Sequence, residues 1–281
     1  MSTYKKGEMS MNTEINKKFR KSTKRNITSM IMAVCLGLIV LVGVFFGNAT
    51  GASAAPVDED GNSSSTSVVS RRDVLNSPRS FVASSVREIY VSHSINTVNV
   101  FTHDSNDIRV VFAEPATGNF IRAAYEFNNG RLTIIDYWRD AAATRTRLRS
   151  GTLNIFMPRN ANSTVNTFNI NVAHGNIGIT GQNNLIADRL ILNVANGRID
   201  LAGFRANRII ATTANGRVVA ENITTTGDFN IQTANGNVDI SDSTVSGRLT
   251  VRTGRGNITL TNVDTRNPSL LTFFGRIRIV G

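Results

Sequence analysis

Six glycines recur at a nearly constant interval through the second half of the chain. Gly175, Gly197, Gly216, Gly236, Gly256 and Gly275 are separated by 22, 19, 20, 20 and 19 residues. Two residues after each glycine begins an apolar pair, as in Ile177 and Ile179, Ile199 and Leu201, or Ile258 and Leu260. A second pair precedes the glycine, as in Phe168 and Ile170, Leu190 and Leu192, or Leu249 and Val251. The alternation, with mostly polar residues between, is that of strands with one buried face. A fixed period over six units is the signature of a stacked repeat. Single units of this size bury too little, and neighbours complete the core.

The expected fold is therefore all-β. It is a β-solenoid, a single-stranded β-helix-like stack of coils of about 20 residues, spanning 161–281. A coil of that length accommodates two or three strands of the usual size. Asn-Gly between apolar runs also reads as a β-hairpin turn, but units of equal length with similar residues at equivalent places favour stacking.

The apolar phase is odd before each glycine and even after it, so the corner must reset which face looks inward. Asn196-Gly197, Asn215-Gly216 and Asn235-Gly236 suit that task, since both residue types tolerate positive φ. Gly175, Gly256 and Gly275 follow His174, Arg255 and Phe274 instead. All nine of these Asn and Gly residues are read as structural turn positions. Stacked asparagines at the corners are expected to form a hydrogen-bonded ladder.

The formal charge of +11 is unevenly distributed. Of 31 cations, eight, including every lysine, lie at or before Arg25, leaving 23 arginines against 18 acids in the remainder. Residues 1–29 are read as a basic cytoplasmic segment, because cations before an apolar run keep that side inside. The run Met30–Phe46 carries no charge. Its length lies between a signal-peptide core and a minimal membrane span, so 30–47 is read as a signal peptide or a signal-anchor helix. Ala52-Ser53-Ala54 reads as a small-residue cleavage site. Both readings place the rest outside the cytoplasm, anchored or released after cleavage near Ala54. Cys35, the single cysteine, lies deep in the apolar run, which argues against lipidation and excludes disulfides within the exported part.

Residues 48–80 read as a polar flexible linker. Asp58, Asp60 and Asn62 mimic the start of a calcium loop, but the glycine and glutamate such a loop needs are missing. Residues 81–160 read as an irregular β region, with strands at Glu88–Val91, Val98–Thr102, Ile108–Phe112, Phe120–Phe127, Leu132–Tyr137 and Leu153–Met157. Asn128-Asn129-Gly130 reads as a hairpin turn. Nothing after Pro56 has sustained helical periodicity, and 81–281 is expected to be one domain.

The basic N-terminus, single apolar segment, strand ending in Met157-Pro158 and Thr-Ala-Asn-Gly-x-Val-x-Ile repeats resemble the bacterial putative-adhesin family of β-strand-repeat proteins, over about Phe81–Gly281. The resemblance implies an extracytoplasmic β-solenoid at the bacterial cell surface and brings no catalytic motif. No Leu-Pro-x-Thr-Gly sorting signal and no second apolar segment are present, so covalent wall attachment is not expected.

No residue pattern points to a cofactor. His93, His103 and His174 are scattered without metal-ligand spacing, and His174 stands where other corners have Asn. Asp200 and Asp239 share an outward ladder offset but have Val219 between them, so a catalytic carboxylate pair is not expected. The glycines precede no helix, which excludes a phosphate loop. The Asn-x-Ser/Thr triplets at Asn62, Asn162, Asn222 and Asn257 would matter only in a eukaryotic source. Arg198, Arg217 and Arg276 share one offset, with Arg252, Arg255 and Arg278 nearby. They form either a solvated face or a polyanion-binding stripe for cell-wall polymers, acidic glycans or anionic lipid. Nucleic acid is not expected as a partner, since no aromatics interleave with the arginines. The reading is a non-catalytic, surface-exposed adhesin-like protein presenting a repetitive face to an extended polymer or host surface. The alternative is a membrane-anchored envelope accessory or stress-sensing protein with membrane-protein partners.

Overall fold

The computed structural model describes residues 73–116, 121–137, 149–159 and 165–281. The basic segment, the apolar run and most of the linker lie outside the described residues. In chain order the first strands are β1 (Asp73–Val74), β2 (Arg79–Val82), β3 (Glu88–His93), β4 (Thr97–His103), β5 (Asp107–Ala113), β6 (Arg122–Asn128), β7 (Arg131–Tyr137) and β8 (Thr152–Pro158). The repeat follows with β9 (Thr167–His174), β10 (Ile177–Thr180), β11 (Leu185–Asn196), β12 (Ile199–Ala202), β13 (Arg205–Asn215) and β14 (Val218–Glu221). It is completed by β15 (Thr224–Thr225), β16 (Phe229–Asn235), β17 (Val238–Val245), β18 (Leu249–Arg255), β19 (Ile258–Thr265), β20 (Ser269–Phe274) and β21 (Ile277–Val280).

These strands build a β-solenoid with two long parallel ladders. The first runs β9–β11–β13–β16–β18–β20 and the second β10–β12–β14–β17–β19–β21. The glycine period sets the register. Ile177, Ile199, Val218, Val238, Ile258 and Ile277 stand in one column of the second ladder. Phe168, Leu190, Ile209, Phe229 and Leu249 form a column of the first. Apart from Ile277, which is exposed on the last coil, both columns are fully buried. Like residues at equal offsets therefore stack into a continuous core that no single coil could close.

A short third side completes each coil. Thr225 pairs with Val245, which pairs with Thr265, and Ala206 pairs with Thr225. Phe204, Ile223 and Val245 fill the interior behind it. The cross-section thus has two long sides and one short one.

The corners match the sequence expectation only in part: Gly175, Gly197 and Gly256 have φ of 158°, 154° and 146°. Asn196, Asn215 and Asn235 do not have positive φ. Four left-handed residues stand six positions after marker glycines, at Gly203, Asn222, Asp242 and Asn262, with φ of 64°, 53°, 49° and 50°. There the chain bends sharply between the second ladder and the third side, where Gly, Asn and Asp carry the smallest penalty.

Both ladders also extend back into the region read as irregular. The strands β3 and β4 form a coil whose members pair in parallel with β9 and β10. On their other side β3 and β4 pair in parallel with β7 and β8. So two further coils lie within 81–160, and they stack out of chain order. The spacing signal is absent because β5 and β6 intervene between them. Those two strands, with β2 and β1, close the stack by antiparallel pairing: β6 and then β1 on β7, β5 and then β2 on β8.

The linker boundary at residue 80 is also corrected. Asp73 and Val74 pair with Tyr125 and Ala124, Leu75 is buried, and Arg79–Val82 pair with Asp107–Val110. Few apolar residues mark this segment, and its order comes from backbone pairing to strands far along the chain. Among the described residues no helix is long and apolar enough to cross a membrane.

Candidate functional site

The marker glycines form one column, and its requirement is close approach. A Cβ on Gly197 would overlap the carbonyl oxygen of Gly175, and the same overlap links Gly216 to Gly197, Gly236 to Gly216, Gly256 to Gly236 and Gly275 to Gly256. At the start of the column a Cβ on Gly175 would stand 2.6 Å from the oxygen of Asn96, the residue at this corner in the β3–β4 coil. From Gly175 to Gly275 the coils thus nest backbone on backbone, with no room for a Cβ.

Around the glycines, side chains bond from coil to coil. Asn215 donates to the Asn196 amide oxygen at 2.9 Å, and Asn235 donates to that of Asn215 at 2.9 Å. Asn196 Nδ2 lies 3.3 Å from His174 Nδ1, so His174 heads the ladder. On the inner side of the corner, the hydroxyls of Thr233, Thr253 and Thr272 donate to the carbonyls of Gly216, Gly236 and Gly256. Just past the corner, the side-chain oxygens of Asn176, Asn237 and Asn257 accept from the backbone N–H of Arg198, Asn257 and Arg276.

The six arginines of the stripe divide into two groups. Arg198 is bonded to Asp200, and Arg217 Nε lies 2.8 Å from Asp239. Arg252, Arg255, Arg276 and Arg278 belong to the last two coils. Arg252 faces outward on the first ladder, Arg255 and Arg276 flank the glycine corner, and Arg278 faces outward on the second ladder. Arg255 lies over the ring of Phe274 at 5.8 Å. The charge of the stack is polarised along its axis. Residues 165–239 hold five arginines and five acids, whereas residues 240–281 hold six arginines and two aspartates.

Asp200 and Asp239 occupy one column with Val219 between them, and each is engaged by an arginine. The histidines are far apart in role. His93 is buried, its Nδ1 2.5 Å from Asp136 Oδ1, while Ser94 donates through its backbone N–H and hydroxyl to Asp136 Oδ2. Asn96 ties the same corner to the cap, accepting from Gly151 N at 2.8 Å. This cluster fastens β3 to β7, and it could not be read from the sequence because 43 residues separate its two ends. His103 Nε2 lies 2.7 Å from the Asp107 carbonyl. Among the described residues no group of three or more His, Cys, Asp or Glu side chains could hold a metal ion.

No curated protein matches the chain. Among solved structures it is similar to a "putative adhesin" from Bacteroides fragilis at 11% identity and a TM-score of 0.39, covering 72% of this chain and 96% of that one. It is similar to a "putative cell adhesion protein" from Clostridium sporogenes at 10% identity and a TM-score of 0.28, covering 74% and 99%. A third likeness, at 14% identity and a TM-score of 0.26, is to a "putative lipid binding protein" from Parabacteroides distasonis, covering 74% and 99%. The Toastrack DUF4097 family model matches residues 86–272, from the turn before β3 to within β20, and the chain belongs to that family.

Proposed function

We propose that the protein is an exported, non-catalytic binding module that grips an extended anionic polymer of a cell envelope or surface. The observation that carries this reading is the axial split of charge. Arginines among residues 165–239 are matched by equal numbers of acids, whereas those among residues 240–281 outnumber theirs three to one. Arg252, Arg255, Arg276 and Arg278 wrap one corner of adjacent coils. Coils of a parallel ladder repeat at about 4.8 Å, so the four arginines, each in its own side-chain column, are concentrated on two adjacent coils. Weak contacts then sum along the polymer. Wall polymers, acidic glycans and anionic lipid headgroups share this chemistry. The cation-flanked run 30–46 supports delivery across a membrane, by cleavage or by anchoring. The separation of Asp200 from Asp239, and their engagement by arginines, supports a role without catalysis.

The test is co-sedimentation of the purified full chain with isolated bacterial envelope, at about 0.05 M and about 0.5 M salt, a range across which exposed charges become strongly screened. Binding that weakens with salt, and that Arg252→Gln/Arg276→Gln/Arg278→Gln reduces at least about tenfold, is expected for a polyanion stripe. Equal binding by the triple variant would overturn the reading. A parallel arm with anionic vesicles separates lipid from wall polymer and glycan.

A further inference from the structure

We propose that the cap end of the first ladder carries a separate binding site for a neutral saccharide. A cleft of about 630 Å³ opens there, lined by Arg87, Glu88, Glu126, Asn128, Arg131 and Asn166 among others. Its volume falls within the range of small-molecule sites, which are largely preformed.

The cleft is preformed by backbone bonding. The Gly130 carbonyl accepts from Arg87 N at 2.7 Å and Glu88 N at 3.1 Å, and the Arg87 carbonyl accepts from Asn166 N at 2.7 Å. These bonds fix three chain segments against one another. The β6–β7 turn that forms one wall has Asn129 and Gly130 at φ of 49° and 79°, the paired positive values of a tight hairpin turn.

The lining selects the ligand class. It contains no aliphatic or aromatic side chain, which disfavours an apolar molecule. Two arginines are balanced by two glutamates, and Arg131 Nε lies 4.0 Å from Glu88 Oε2, so neither a polyanion nor a polycation is favoured. What remains is a concentration of guanidinium, carboxylate and carboxamide groups. Their paired donors and acceptors match the adjacent hydroxyls of a sugar ring. Strand register places Arg131 beside Glu88 and Thr133 beside Tyr90 on this outward face, so the polar floor is set by backbone pairing. The site lies at the opposite end of the stack from the unmatched arginines and does not rest on the polyanion reading.

Saccharide binding is read by ligand-observed NMR of the full chain with maltose, cellobiose and N,N′-diacetylchitobiose, with sulfated heparin disaccharide as the charged control. At least one neutral disaccharide is expected to bind, with an affinity unchanged between low and high salt. Glu88→Ala and Asn128→Ala are each expected to weaken it at least tenfold, with circular dichroism and melting showing the fold retained. Absence of binding by all three neutral sugars would overturn the proposal. So would binding confined to the sulfated sugar, or neutral-sugar binding that both variants leave intact.

Discussion

The carbonyl oxygen of Gly197 occupies the space that a Cβ on Gly216 would need. This pair accounts for the glycine period more directly than turn conformation does. The φ of Gly216, unlike that of Gly203, lies outside the left-handed region. Gly216→Ala is expected to force two coils apart and cost at least about 3 kcal/mol, more than ordinary overpacking. Denaturant unfolding of the variant checks this.

The inward threonines offer a matched comparison. Thr253 donates to the Gly236 carbonyl at 3.0 Å, whereas the buried Thr213 hydroxyl has no hydrogen-bond partner among the described residues. Val172 and Val194 fill the same column in the preceding coils. Thr253→Val is expected to cost about 1 kcal/mol, and Thr213→Val to be neutral or stabilising by up to about 1 kcal/mol. Melting temperatures moving in the same direction by equal amounts would refute the distinction.

Asp239→Asn tests the polyanion reading by gain of function. The Arg217–Asp239 pair is exposed, so its loss should change stability by less than about 1 kcal/mol. Releasing Arg217 is expected to add a free cation two coils before Arg255, raising envelope binding at low salt and steepening its salt dependence. An unchanged salt titration would count against the stripe.

Asp107, at the start of β5 in the cap, gives a pH prediction. Hydrogen bonds from Ser105 first, and from Ser80, hold its carboxyl below the ordinary value of 3.8. The folded value is depressed, so the stabilisation is complete above the ordinary carboxylate range and is lost as pH falls through the folded value. Ser105→Ala removes the largest cause. Carboxyl-detected NMR titration should show the Asp107 midpoint moving up towards 3.8; an unmoved midpoint would assign the shift elsewhere.

The β-solenoid, its period and the inward columns were legible from Gly175 to Gly275, because stacking makes one residue's environment nearly that of the next. The amide ladder through Asn196, Asn215 and Asn235 followed from equal offsets. The bend at Gly203, Asn222, Asp242 and Asn262 was hidden by varied residue types. The β3–β4 coil was hidden because Asn96 stands where later coils have glycine, and because its neighbours come from β7–β8 and β9–β10. The arginine stripe was visible as a set, but its division into matched and unmatched members required knowing that Arg217 reaches Asp239 across a coil. The cap cleft had no linear signal, since Arg87, Asn128 and Asn166 meet only through long-range pairing.

The position of the β3–β4 coil between β7–β8 and β9–β10 gives synthesis of this protein a direction. When residues through His103 have emerged, that coil has neither neighbour and remains an open template. The cap side closes only when Pro158 is available, because β7 and β8 stack on the coil and β5 and β6 pair onto them in turn. From Thr167 onward each new coil needs only the one just made. Early growth should therefore be slow and vulnerable to mispairing, and later growth quick and incremental. Deleting one interior repeat should shorten the stack by one coil and leave this assembly order intact.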